Sequence, residues 1–173
     1  MNILIAEKKI QARIQELASL ISLDYKHKVP VIVGVLNGSF ILVADLVRKL
    51  TIDYEVDFIK ISSYGDSLKS SGSIKLDNDL KMDIKGRDII LVEDIIDSGL
   101  SINFLVNHFR KFQVESLSIL SLLIKPNPSN LVMDADYIGF EINNDFVIGY
   151  GMDYKGKFRG LNSIYTIKQD KYE

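Results

Sequence analysis

The stretch IILVEDIIDSGLS, residues 89–101, decides the reading of this chain. Ile89, Ile90, Leu91 and Val92 form an apolar run suited to a buried strand, and the run meets two adjacent carboxylates, Glu93 and Asp94. The acids are therefore expected at a strand tip. Asp97, Ser98, Gly99, Leu100 and Ser101 then lead into a helical pattern in which Ile102, Leu105, Val106 and Phe109 share one face. A loop that feeds a helix N-terminus presents unpaired amides, and the helix dipole favours negative charge there. With the hydroxyls of Ser98 and Ser101 as further donors, the stretch suits a phosphate monoester. Carboxylates beside such a receptor make sense if they face another part of the same ligand, such as sugar hydroxyls or a hydrated magnesium ion. On the residues alone, the same letters also suit a plain strand end and a plain helix cap.

Upstream, Ile10, Ile14, Leu17 and Ile21 recur at helical spacing and predict a first helix over 7–22. Residues 31–36 read as a strand, Asn37, Gly38 and Ser39 as a tight loop, and the residues to about 49 as a helix. Ile52, Tyr54, Val56 and Phe58 alternate with acids, which predicts a half-exposed strand continuing to about 61. Residues 62–73 are serine-rich and read as a loop, with a short strand resuming over 73–76. Downstream, the helix after the central loop is expected to reach 112, followed by a strand over 117–124 that stops at Lys125 before Pro126 and Pro128. Residues 137–142 and 146–150 look like two strands of a hairpin-like flap, and a last strand is expected over 163–167. Alternating strands and helices argue for an α/β fold with a mainly parallel sheet covered on both faces. Ligands in such folds bind at the carboxyl ends of the strands, which gathers residues 36–39, 93–101 and Lys125 on one rim under a hood formed by the late segment.

With 173 residues, 47% of them hydrophobic, the chain is expected to form one domain, 1–173, with its core over about 8–137 and its hood over about 138–165. Lys and Arg number 21 against 23 for Asp and Glu, a net charge of -2, so no bias towards nucleic acid or an acidic membrane is visible. The absence of cysteine excludes disulfides and thiolate chemistry. With no signal peptide pattern and no long apolar run, a soluble cytoplasmic protein is expected.

The central stretch closely resembles the phosphoribosyl pyrophosphate motif of the purine phosphoribosyltransferases, and VEDIIDSG in particular is similar to the form found in the hypoxanthine-guanine phosphoribosyltransferases. The similarity runs from about Val31 to Asn162. It implies a type I phosphoribosyltransferase fold and transfer of phosphoribosyl from phosphoribosyl pyrophosphate to N9 of hypoxanthine or guanine, with Mg²⁺ as cofactor. Residue by residue, it implies that Asp97 accepts a proton or hydrogen bond at purine N7, and that Ser98, Gly99, Leu100 and Ser101 hold the 5′-phosphate. Glu93 and Asp94 would hold ribose hydroxyls, directly or through the metal, and Asp153 would serve the metal on the pyrophosphate side. Leu36, Asn37 and Gly38 fall in the family's pyrophosphate loop, often with a cis peptide, and Arg159 matches its pyrophosphate-gripping arginine. Ser63 and Tyr64 match the loop that closes over the reaction centre. Lys125 matches the lysine that reads the 6-oxo group, Phe146 the aromatic that stacks on the base, and Val147 the residue whose backbone meets its edge. Asn37 and Leu100 depart from basic residues common at their positions, while His27 and His108 match no functional position. The family also implies a homodimer or homotetramer. Xanthine as preferred base stays open. A nucleic-acid-binding regulator that senses phosphoribosyl pyrophosphate would need a basic face or an added domain, and neither is visible in this chain.

Overall fold

The computed structural model describes residues 1–63, 74–126 and 131–167. In chain order its elements are β1 (Asn2–Ile5), α1 (Glu7–Asp24), β2 (Val31–Leu36), α2 (Phe40–Val47), β3 (Glu55–Ser63), β4 (Ile74–Asn78), β5 (Asp88–Ile96), α3 (Leu100–Phe109), β6 (Ser116–Ile124), β7 (Tyr137–Glu141), β8 (Val147–Ile148) and β9 (Ile164–Thr166), with a 3-10 turn over Arg110–Phe112. The main sheet has the order β4-β3-β2-β5-β6-β7 and is parallel except for β4.

Strand side chains alternate between faces, so a strand buried on both sides must be apolar throughout. The central strands meet this condition. Ile32, Ile90, Val92 and Leu120 join the core under α1 and α2, whereas Val31, Val33, Leu91 and Ile119 join the core under α3. Each fully buried aliphatic side chain contributes about 1.5–3 kcal/mol, so the two layers hold the sheet between them. The α/β class expected from the sequence is the fold observed. Among the described residues, no helix is long and apolar enough to cross a membrane.

Three expectations need correction. The expected hairpin over 137–150 does not form. β7 instead extends the main sheet beside β6, with Arg13 of α1 donating to the carbonyls of Ile138 and Gly139 at 2.8 and 3.1 Å, and β8 pairs with β9 in a small separate sheet. That small sheet has the order β1-β9-β8, so the N-terminal residues belong to the hood while residues 137–141 belong to the core. β1 is mostly exposed and carries no apolar period of its own; its partner β9 determines it. β5 does not stop at Val92. It stays paired with β6 as far as Ile96↔Ile124, while its pairing with β2 ends at Gly34↔Val92. Glu93 and Asp94 thus lie inside a strand, at the point where one neighbour has turned away. The third strand begins at Glu55 rather than Ile52, and Ile52 and Tyr54 pack against the core from the loop before it.

His27 is exposed, whereas His108 ties α3 to the end of β4 through Asp79 at 3.0 Å.

Candidate active site

The cleft exists because β2 and β5 part company. β2 ends in a cis peptide between Leu36 and Asn37, and the buried Ser39 hydroxyl donates back to the Val35 carbonyl at 2.7 Å. Asn37 is exposed at the rim. Gly38 lies against Asp94 so closely that a Cβ on it would stand 1.8 Å from Asp94 Oδ2, which makes glycine a steric requirement. The turn and the acid of the neighbouring strand therefore form one surface.

Glu93 and Asp94 do not diverge as regular strand alternation would send them: their carboxyls lie within hydrogen-bonding reach of each other, and Ile95 and Ile96 join the layers of Val92 and Leu91 respectively, so the alternation breaks at the two acids. Glu93 is 8% exposed and lines a cavity of about 250 Å³ with Asp97, Ser98, Gly99 and Ser101; Asp94 lines a second cavity, of about 190 Å³, with Asp97, Lys125, Phe146, Val147 and Asp153. Burial, reinforced by the Asp94 carboxylate, holds the Glu93 carboxyl well above its usual range, and burial also raises Asp94. Glu93 Oε2 is buried without a hydrogen-bond partner. A buried, unsatisfied carboxylate oxygen destabilises the fold, which makes it a mark of function.

In the first cavity, Gly99 caps α3, with its carbonyl accepting from the Asn103 amide at 2.9 Å, and the Leu100 amide lies 3.4 Å from Ser98 Oγ. The first-turn amides and the seryl oxygens form a receptor for an anion. Leu100 itself is 37% exposed and is a backbone donor only.

In the second cavity, Lys125 Nζ donates to Asp97 Oδ2 at 2.7 Å, although 28 residues separate them. The lysine side chain is 11% exposed and the aspartate 63%, so an ammonium sunk in the wall holds a carboxylate that reaches into the open. The Lys125 amide donates to the Ile96 carbonyl at 2.9 Å, which continues the β5–β6 pairing and sets this meeting point. Phe146 also lines this cavity, its ring edge-to-face with Tyr154 at 5.7 Å. Arg159 pairs with Asp153 at 2.6 Å and donates to the Gly151 carbonyl at 2.7 Å. The fold thus brings Glu93, Asp97, Ser98, Gly99 and Ser101 to one cavity and Asp94, Asp97, Lys125, Phe146, Val147 and Asp153 to the other, with Asp97 in both; Gly38 lies against Asp94, Arg159 is tied to Asp153, and Leu36 ends β2 at the Gly38 turn. Ser63 ends β3, paired with Ile74, and Tyr64 lies outside the described residues. Sequence reasoning missed Ile95 and Met152, which also line the second cavity and read in sequence as ordinary apolar strand and loop residues.

A phosphoribosyl transferase domain model matches residues 2–155. A hypoxanthine-guanine phosphoribosyltransferase of Bacillus subtilis is 41% identical over 99% of this chain and 96% of its own length. The chain belongs to the hypoxanthine-guanine phosphoribosyltransferase family. The crystal structure of a hypoxanthine phosphoribosyltransferase from Staphylococcus aureus superposes with a TM-score of 0.93 at 34% identity, covering 100% of this chain and 94% of that one. A hypoxanthine-guanine phosphoribosyltransferase from Bacillus anthracis gives a TM-score of 0.91 at 39% identity, covering 97% and 99%. As a member of this family the chain is a phosphoribosyltransferase of purine salvage.

Proposed function

We propose that phosphoribosyl transfer from phosphoribosyl pyrophosphate to hypoxanthine or guanine, giving IMP or GMP and pyrophosphate, runs in this cleft with Asp97 and Lys125 reading the base. The observation that carries the reading is their 2.7 Å contact. O6 and N7 are neighbours on a 6-oxopurine, one an acceptor and the other able to carry a proton, so a fixed cationic donor beside an anionic acceptor is complementary to that edge. Adenine presents an amino group where Lys125 needs an acceptor. Phe146 stacks on the base, and the Val147 backbone meets its edge.

The base attacks from its other end. N9 forms a bond to C1′ as the bond from C1′ to the pyrophosphate oxygen breaks, and Asp97 takes the N7 proton so that electron density at N9 rises. Ser98, Gly99, Leu100 and Ser101 hold the 5′-phosphate through amides and hydroxyls. The amides of the Leu36–Asn37–Gly38 turn and the fork of Arg159 hold the pyrophosphate, which Asn37 leaves without a lysine. By the family's pattern, excluding water and so protecting an oxocarbenium-like centre from hydrolysis falls to Ser63 and Tyr64.

Among the described residues, no three metal-binding side chains cluster together. The site fits Mg²⁺ nonetheless, because this ion keeps several waters and uses one or two carboxylates plus substrate oxygens. The unsatisfied Glu93 Oε2, with Asp94 beside it and Asp153 across the second cavity, supplies hard oxygen donors. When bound, Mg²⁺ offsets the charge of the leaving pyrophosphate. Glu93→Gln should raise Tm by about 2–6 °C while weakening the Mg²⁺ dependence of turnover. The sign follows from the raised Glu93 pKa: the native state binds the proton more tightly than the unfolded chain, so stability falls as pH rises above the usual glutamate range. The variant should lose that slope in thermal melts across pH; an unchanged slope counts against it.

A spectrophotometric assay with phosphoribosyl pyrophosphate, Mg²⁺ and hypoxanthine, guanine, xanthine or adenine tests the function. Turnover of hypoxanthine or guanine and none of adenine is expected; turnover of adenine, or of no base, overturns the reading, and preferred turnover of xanthine revises its specificity. Lys125→Ala should lower kcat/KM for hypoxanthine roughly 100-fold, through loss of a buried charged donor. Retained discrimination against adenine in that variant would remove Lys125 from base selection. Assembly into a homodimer or homotetramer belongs to the same proposal and is read by light scattering.

A further inference from the structure

The hood touches the pyrophosphate loop through a turn that the chain forms with difficulty. Gly149, Tyr150 and Gly151 have φ of 93, 50 and 101°, and the turn closes with Gly149 donating to the Met152 carbonyl at 3.0 Å and Met152 donating to that of Gly149 at 3.1 Å. A tyrosine is sterically disfavoured in this left-handed region, so the conformation persists only if its surroundings enforce it. Tyr150 is 3% exposed and its hydroxyl donates to the Asp45 carboxylate.

Asp45 lies on α2, which begins directly after the loop of Leu36 to Ser39. The same carboxylate accepts from Gln11 Nε2 of α1 at 2.6 Å and pairs with Arg48. Burial works against its ionisation, but the hydrogen bonds from Tyr150 and Gln11 and the Arg48 charge outweigh it and hold Asp45 below the usual carboxylate range. One ionised side chain thus joins α1, α2 and the hood turn. The next residue of the turn completes the link. Gly151 sits so close to the pyrophosphate loop that a Cβ on it would stand 1.9 Å from the Gly38 carbonyl oxygen. Its own carbonyl accepts from Arg159, which pairs with Asp153. Neither Tyr150 nor Asp45 lines the two substrate cavities.

We propose that Asp45 and Tyr150 are positioning residues for the pyrophosphate end of the reaction, locking the hood turn onto α2 so that Arg159 and the loop at Gly38 converge on the same ligand. The inference rests on the substrate assignment above. Its consequence is selective: although Phe146, Val147 and Met152 flank the turn, Lys125 is placed by the β5–β6 pairing, and Phe146 and Val147 are anchored by β9 and by the Ile167 amide on the Phe146 carbonyl, so loosening this lock acts more on phosphoribosyl pyrophosphate and pyrophosphate than on the purine.

Tyr150→Phe keeps the ring and removes only the hydroxyl. Steady-state kinetics should show KM for phosphoribosyl pyrophosphate, and for pyrophosphate in the reverse reaction, raised roughly fivefold to twentyfold, as expected for one buried charged hydrogen bond. KM for hypoxanthine should stay within about twofold. Asp45→Asn keeps one acceptor for Tyr150 and should give a smaller rise of the same selectivity, and the double variant should fall short of the product of the two single effects. Wild-type turnover, measured alongside, separates this proposal from the functional assignment, since an inactive wild type overturns the assignment itself. With an active wild type, a lower Tm at unchanged KM for phosphoribosyl pyrophosphate, or equal changes in all KM values, overturns the positioning role. If Tyr150→Phe does not fold, Asp45→Asn decides alone: a selective rise supports the role and a uniform or absent one overturns it.

Discussion

Asp97→Asn should lower kcat by roughly 10²- to 10⁴-fold while leaving the affinity for phosphoribosyl pyrophosphate within about threefold of wild type. The substitution keeps the volume of the side chain and one oxygen that can still accept from Lys125, so the 2.7 Å contact that orders the base pocket loses its charge but not its geometry. What disappears is the ability to take the N7 proton. Asp94 and Asp153 line the same cavity, but Lys125 donates to Asp97, which places Asp97 at the N7 edge beside the O6 reader. Equilibrium binding of phosphoribosyl pyrophosphate together with single-turnover kinetics separates binding from chemistry. Turnover within tenfold of wild type would exclude Asp97 as the proton acceptor and leave it a role in holding Lys125.

Gly38→Ala should reduce kcat/KM for phosphoribosyl pyrophosphate at least roughly 100-fold with a Tm change of only a few degrees. Gly38 is not one of the left-handed glycines, so alanine fits its backbone conformation. The obstacle is the space in front of it, where the new methyl would fall 2.3 Å from Asp94 Cγ and 1.8 Å from Oδ2. The short aspartate side chain yields more easily than the backbone, so the fold survives and the acid is displaced from the cleft. Gly151→Ala provides the contrast. There the obstacle is the Gly38 carbonyl, the φ is 101°, and the backbone itself must move, so stability should fall along with activity. If Gly38→Ala lost stability as severely as Gly151→Ala, the Asp94 side chain would not be the group that gives way.

The two variants also show where a linear reading stops. That residue 38 is a glycine in a strand-to-helix turn is visible in sequence, and turn chemistry explains it there. Its contact with an acid 56 positions later depends on the parallel pairing of β2 with β5 and on its end at Gly34↔Val92. Glu93 and Asp94 show the same limit. As neighbours in sequence they read as a joint pair at a strand tip; the folded chain keeps their carboxyls within reach of each other inside a longer β5, yet opens one to the cavity of Ser98 and Ser101 and the other to the cavity of Lys125 and Phe146. Nothing in the apolar run 89–92 signals the extra length, because Ile95 and Ile96 continue the strand by pairing with β6.

By itself the sequence determined what depends on a few consecutive residues: the two-faced burial of the central strands, the polar loop that opens α3, the breaks at Gly38 and Pro126, and, through its resemblance to a known family, the family chemistry of the central motif. These follow from side-chain period, backbone freedom and helix-end polarity, which act over one or two turns of chain. Tertiary structure alone decided which distant groups meet. The contact of Lys125 with Asp97, the closure of β1 onto β9, the return of residues 137–141 to the main sheet and the lock between Asp45 and Tyr150 all depend on strand register and on the packing of whole layers. Such contacts form because the summed burial of many side chains fixes the backbones that carry them, and no local pattern contains that sum.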